Sequence, residues 1–537
     1  MTVAQETGEL RNSGHPGNEE FDTLIYGSPP LVYPAVLSQY VIYNTPDPAY
    51  VTGRINISAF ANLGAATPWP FTNANVPLNG HICIPRGRGP FPLAVFAHGN
   101  HNPFENSTPG YLYLCQLLAS HGIIAATIDV NFLNGSNFGE NDARAIVHLE
   151  HLKQFRSWNN TAGHPLHGKV ELNRILIVGH SRGGEAVGHA SFFNRLAAIG
   201  PVVLDGSAGL GPYRFGLSAA AAIAPTDRQF VPATGPTVVP DSYFIIHGSK
   251  DSDVSSFEGY HTYERAHAVD LANPTVSDGK FKAMLWVHKA NHNQFNSVWA
   301  PDVAMPRSNQ EQIARVHLGA LALAVLLDRR EYLAVLRDHA VATAWNPAGT
   351  ELVSQYQDPQ RVFVQHNQEG LGPPVVSLPV QGTVAADGVA AARQLTALVG
   401  GAPTTTITLR LAWSSAGSRL LLQADPATLP AERYKVIALR VGQSNEAANS
   451  PNRDQDFTLE VSSGSRTAAF PASSFHRLLF PDPPPFGPAK IVMQTLRLPV
   501  ARLVECGVDP SDLRAIALVF DRRQTGVVYA GDLQFTN

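Results

Sequence analysis

The sequence predicts an α/β unit built on a mostly parallel, helix-covered sheet, followed by an all-β sandwich. Three observations carry this expectation. From Phe91 onward, short apolar runs alternate with helical patterns. After about Ala348 the pattern changes to short β-type runs separated by Gly, Pro, Asn and Asp clusters. The chain has 537 residues, 44% of them hydrophobic, enough to bury more than one core. The expected domains are a poorly ordered N-terminal arm over 1–34, the α/β domain over 35–348 and the sandwich over 349–537.

Taken in order, 38–44, 53–60 and 80–85 read as an antiparallel opening to the sheet. Residues 92–97, 123–129, 175–178, 242–247 and 282–287 are apolar runs of strand length. Helices are expected over 111–121 and 140–155, and Ser308 with Glu311 forms a capping-box pattern ahead of a helix ending near Leu327. Asp129, which ends the second of these runs, reads as structural. In the sandwich, 404–413, 434–441, 456–461, 491–499, 513–520 and 526–535 are strands by composition. The Arg-Val-Gly-Gln strand at 440–443 together with the closing Tyr-Ala-Gly-Asp-Leu segment at 529–533 resembles a jelly-roll carbohydrate-binding-type module. Trp413 and Tyr434 are the aromatic candidates for the glycan contact this resemblance implies, although such residues more often pack in a core.

The run Ile175-Leu176-Ile177-Val178-Gly179-His180-Ser181-Arg182-Gly183-Gly184 joins a buried strand to a helix through a GxSxG turn. Glycines at 179 and 183 relieve crowding around Ser181, and Ala186, Val187, Ala190 and Phe193 continue at helical spacing. A serine so placed is a candidate nucleophile at the positive end of a helix dipole. It needs a base, a carboxylate to orient that base, and two N–H donors for the oxyanion.

Asp251, in the polar turn after 242–247, is the expected acid. Asp253 is second, and Asp205, after the run 201–204, is a third candidate. His292, on the loop after 282–287, is the expected base, whereas His288 lies close to the strand end and reads as structural. The backbone amides of Arg182 and Asn100 are the expected oxyanion donors, with His101 as the alternative to Asn100. Asn100 belongs to the polar loop His98-Gly99-Asn100-His101-Asn102 that ends 92–97. The Arg182 side chain is expected to pair with Glu185, three residues on. Phe104, Phe132 and Trp299 are candidate pocket walls, with core packing the commoner role for each.

The GHSRGG elbow resembles that of chlorophyllases, and the wider pattern over roughly 35–330 is similar to the cutinase-like and polyester-hydrolase branch of the α/β-hydrolases. The resemblance implies a serine esterase cleaving carboxylic esters with neither metal nor organic cofactor. Arg182 and Asn100 stand where polyester hydrolases usually carry methionine and an aromatic residue, which argues against an aromatic polyester substrate. A serine peptidase or amidase with the same triad is the rival within enzymes. A glycan-binding protein with an inactive hydrolase domain is the rival outside them, and a glycan or polymer is the partner its C-terminal domain would contact.

The net charge of −4, without a Lys/Arg block, argues against nucleic acid as a partner. The apolar stretch 318–327 is too short to cross a bilayer. Cys83, Cys115 and Cys506 form no CxxC pair and read as small buried hydrophobes, with neither a zinc site nor a disulfide framework. The polar segment 1–20 lacks a signal-peptide core, so the sequence leans toward the cytoplasm, with a processed secreted form as the alternative.

Overall fold

A computed structural model describes residues 10–64, 66–134, 140–207, 209–227, 239–266, 279–301, 304–365, 380–395, 407–464, 466–487 and 489–537. They form two compact units, one comprising Leu10–Ala268 and Phe281–Glu351, the other built on Leu352–Asn537.

The first unit is a mostly parallel sheet with helices. Its strands are β1 (Phe21–Tyr26), β2 (Gly80–Pro85), β3 (Phe91–Ala97), β4 (Ile124–Ile128), β5 (Val170–His180), β6 (Leu217–Ile223), β7 (Ser242–Gly248) and β8 (Lys282–Val287). They lie in the order β1-β2-β4-β3-β5-β6-β7-β8. β2 is antiparallel to both neighbours, and every pairing from β4 to β8 is parallel. Among the helices are α1 (Leu112–Ser120), α2 (Asn141–Asn160), α3 (Arg182–Phe193), α4 (Gly259–Arg265) and α5 (Arg307–Leu326). Ile175 to Val178 are fully buried, as a strand inside a parallel sheet covered on both faces requires.

Several local expectations fail for identifiable reasons. Phe21–Tyr26 lies within the expected arm, yet it pairs along its whole length with Gly80–Pro85. Residues 38–44 are part of a 3-10 helix, Ala35–Asn44, rather than a strand. The buried residues Leu37, Tyr40 and Tyr43 recur every three positions, the period of a 3-10 helix and not the two of a strand. Of 53–60, only Arg54–Ile55 forms a strand. The capping box is absent: α5 begins at Arg307 with Pro306 as N-cap and no side-chain cap bond, which puts Ser308 inside the helix.

β6 was not expected at all. Its run Ala219–Ala222 has high helix propensity, but its ladders to β5 and β7 hold it extended. Small side chains suit this position, because α3 packs against both β5 and β6.

The second unit contains two antiparallel sheets. Strands β9 (Leu352–Gln357), β10 (Arg361–Gln365), β11 (Gly382–Asp387), β12 (Val389–Leu395), β13 (Ile407–Trp413), β14 (Ser418–Ala424), β15 (Val436–Gln443), β16 (Thr458–Ser463), β17 (Arg466–Pro471), β18 (Gln494–Pro499), β19 (Leu513–Phe520) and β20 (Gly526–Thr536) follow one another. One sheet has the order β12-β13-β20-β15-β18, with β10 also on β20, and the other β11-β14-β19-β16-β17. Leu411, Leu439 and Phe535 from the first sheet and Leu420, Val461 and Leu518 from the second share one apolar core, the packing of a sandwich. Residues 404–406, expected to open β13, lie outside the described residues. Trp413 stacks on Phe520 at 4.2 Å inside that core, and Tyr434 packs against its edge, so neither forms an exposed platform. Cys83 and Cys115 are buried, but Cys506 is exposed at the end of a short helix, contrary to expectation.

Candidate active site

The register of the parallel strands assembles the site. Ala97 on β3 is level with Gly179 on β5, His180 with Ile223 on β6, Ile223 with Ile246 on β7, and Gly248 with Val287 on β8. The loops carrying 98–100, 181, 249–253 and 288–292 therefore all leave the same edge of the sheet. From β3 the chain turns one way to β4, then crosses to β5 on the other side. Ser181 and Gly99 thus lie at a topological switch point, where open α/β sheets form their crevice.

Ser181 has φ 58° and ψ −126°, a conformation L-residues rarely adopt. Surrounding backbone holds it there. Its amide donates to Ile223 O at 2.9 Å, and the flanking glycines admit no side chain. A Cβ on Gly179 would lie 1.9 Å from Gly183 O, and one on Gly183 would lie 2.6 Å from His98 O. A Cβ on Gly99 would lie 2.4 Å from Ser181 Cβ, so the expected donor loop passes directly beside the serine. α3 begins at the next residue and directs the positive end of its dipole there.

Asp251 and His292 meet as expected: His292 Nδ1 lies 2.8 Å from Asp251 Oδ2, both side chains being buried. The other carboxylate oxygen accepts from the amides of Asp253 at 3.0 Å and Val254 at 2.7 Å. Burial acts to raise the Asp251 pKa, but the His292 charge and hydrogen bond, His247 and the Val254 amide outweigh it and hold the carboxyl at about 2. Asp253, the second candidate acid, is largely exposed and lies 3.4 Å from the other His292 nitrogen, Nε2. Asp205 is exposed and caps the Ser207 amide at 2.8 Å, the ordinary work of a turn aspartate. His288 stays at the strand end, its amide bonded to Glu351 O.

Aromatic rings pack the serine's neighbour against the histidine. The His180 ring lies 4.9 Å from that of His292 and 4.7 Å from that of Trp299, and Tyr111 hydroxyl bonds His180 Nδ1 at 2.8 Å. Trp299 is nearly parallel to the rings of His101 and His292. It therefore contributes to the site wall, whereas Phe132 packs on Phe71 and Phe104 on the Leu37, Tyr40 and Tyr43 cluster. Asn296 fastens this loop: its side chain donates to Ser107 O and accepts from the Trp299 amide.

Two charged residues were missed. Arg182 Nη1 bonds Glu140 Oε1 at 2.8 Å, while Glu185, its expected partner, receives the Thr226 hydroxyl at 2.6 Å. Arg144 is fully buried beside them, and burial lowers its pKa to about 10, with Glu140 opposing. A lone arginine within the apolar helical run 143–147 was the available signal. No family model matches this chain, and no curated protein matches it significantly.

Proposed function

We propose that the first unit is a serine hydrolase of α/β-hydrolase type that cleaves carboxylic esters through an acyl-enzyme. One observation carries the reading: a positive-φ serine at the switch point shares a sheet edge with an Asp251–His292 pair 2.8 Å apart. Ser181 attacks the ester carbonyl and His292 takes its proton. Asp251 fixes the ring orientation and stabilises the imidazolium, and the Asn100 and Arg182 amides receive the oxyanion. The protonated histidine then gives its proton to the departing alcohol. Water, activated by the same histidine, releases the acid and restores Ser181.

The test is hydrolysis of 4-nitrophenyl esters of graded acyl length and of a 4-nitroanilide, by the wild type and by Ser181→Ala. Ester turnover that falls about 10⁴-fold or more in the variant supports the reading. Turnover of the anilide in preference to the esters replaces it with the amidase reading, and a wild type inert on both removes it.

A further inference from the structure

The two oxyanion amides of this reading come from separate loops, so something must fix their relative positions. Asn100 follows β3, and Arg182 opens α3. On the first loop, His98 Nδ1 bonds Gly99 O at 2.8 Å, while the Val130 amide donates to His98 Nε2 at 3.1 Å. The second bond requires Nε2 to be the acceptor, which puts the proton on Nδ1. Arg144 Nη1 also faces this loop, 3.4 Å from His98 O and 3.5 Å from Gly99 O. These contacts are long for hydrogen bonds and act chiefly through charge. A trans peptide points its N–H opposite to its C=O. Holding Gly99 O on the buried side therefore aims the Asn100 N–H away from Arg144.

Arg144 is itself anchored. It donates to Leu133 O at 3.0 Å, Asn134 Oδ1 at 2.7 Å and Glu140 Oε1 at 3.3 Å. The same Glu140 oxygen receives Arg182 Nη1 at 2.8 Å. One carboxylate oxygen thus joins the arginine behind the first donor loop to the side chain of the residue that supplies the second donor. The three side chains are 0%, 1% and 9% exposed for Arg144, Glu140 and Arg182. Two guanidinium groups thus meet on one carboxylate oxygen where little water screens them.

We propose that Arg144, Glu140 and Arg182 form a buried ionic clamp that aligns the Asn100 and Arg182 amides. The proposal rests on the ester-hydrolase reading above. The three side chains are positioning residues, since they act through the two loops and do not touch the substrate.

The clamp predicts a defect confined to the transition state. Glu140→Gln, Arg182→Met, Arg182→Lys and Arg144→Met would be compared with the wild type on the best 4-nitrophenyl ester. The Ki of a trifluoromethyl ketone, which the serine converts to a bound oxyanion, would be measured alongside. Glu140→Gln and Arg182→Met should lower kcat about 10- to 100-fold with KM changed less than about threefold, and raise the ketone Ki by a similar factor. Arg182→Lys should recover part of the loss, because an ammonium can still meet Glu140. Breaking a buried ion cluster can also prevent folding. Arg182→Met, at the cluster's exposed margin, therefore decides the matter if Arg144→Met fails to fold. Folded variants with wild-type kcat and ketone Ki overturn the clamp alone. A wild type without ester turnover overturns the hydrolase reading and the clamp's catalytic role together.

Discussion

The ends of β4 and β7 carry two buried aspartates that face opposite electrostatic fates. Asp129 follows β4 and accepts from the amide and side chain of Asn131, both at 3.0 Å. Burial is its dominant influence, and its pKa is pushed up to about 6. Asp251 follows β7 and is equally buried, but a histidine faces each side of its outer oxygen and its pKa is held at about 2. Burial alone does not determine whether a carboxyl is charged. The decisive difference is that Asp251 faces two histidine charges where Asp129 has the neutral hydrogen bonds of Asn131 and Asn79. The β4 end is thereby suited to shaping the fold and the β7 end to holding an imidazolium.

The strongest way to break this comparison is Asp251→Asn. The reading predicts a loss of about 10³-fold in kcat for ester hydrolysis, because the amide no longer stabilises the charged ring. Retention of more than a tenth of the wild-type kcat would make Asp251 a turn-capping residue only. Its ionisation also contributes about 2 kcal/mol of stability, present above pH ~4 and lost as pH falls toward 2.

Asp129→Asn sharpens the contrast from the other side. The raised pKa means that the folded chain keeps a proton the unfolded chain has released. That stabilisation is fully present below pH ~4 and lost as pH rises to about 6, a change of about 3 kcal/mol. The variant should flatten the decline in Tm between pH 4 and 6 while leaving kcat within about twofold. An undiminished decline in Tm would show that another group causes it.

Asp253→Asn should have the smallest effect. Its carboxylate is 65% exposed at 3.4 Å from His292, so solvent screens most of the attraction. The kinetic pKa of the base should fall by a few tenths of a unit in a pH–rate profile, with kcat changed less than about threefold. A loss comparable to that of Asp251→Asn would exchange their roles.

What was legible in the sequence was local and repeated. The strand before Ser181 announced itself through an uninterrupted apolar run and the elbow through its glycines, and the loops bearing Asp251 and His292 followed strands of the same kind. What was hidden depended on partners distant along the chain. The alanines of β6 look helical until two neighbouring ladders are known. The nearest acidic residue to Arg182 in its helix is Glu185, yet Glu140 meets its guanidinium across 42 positions. Phe21–Tyr26 becomes a strand only because Gly80–Pro85 offers an edge. The 3-10 helix at Ala35–Asn44 was readable in principle, since the period-three spacing of Leu37, Tyr40 and Tyr43 is in the sequence itself.

The bond from the Ser181 amide to Ile223 O has a consequence for where this molecule can open. It makes Ser181 one more rung of a central parallel ladder, not the tip of a separate loop. Fraying at the serine would have to unzip the end of β5 from β6, in the interior of the sheet. Amide exchange and protease access at this position are thereby coupled to the cooperative opening of the core.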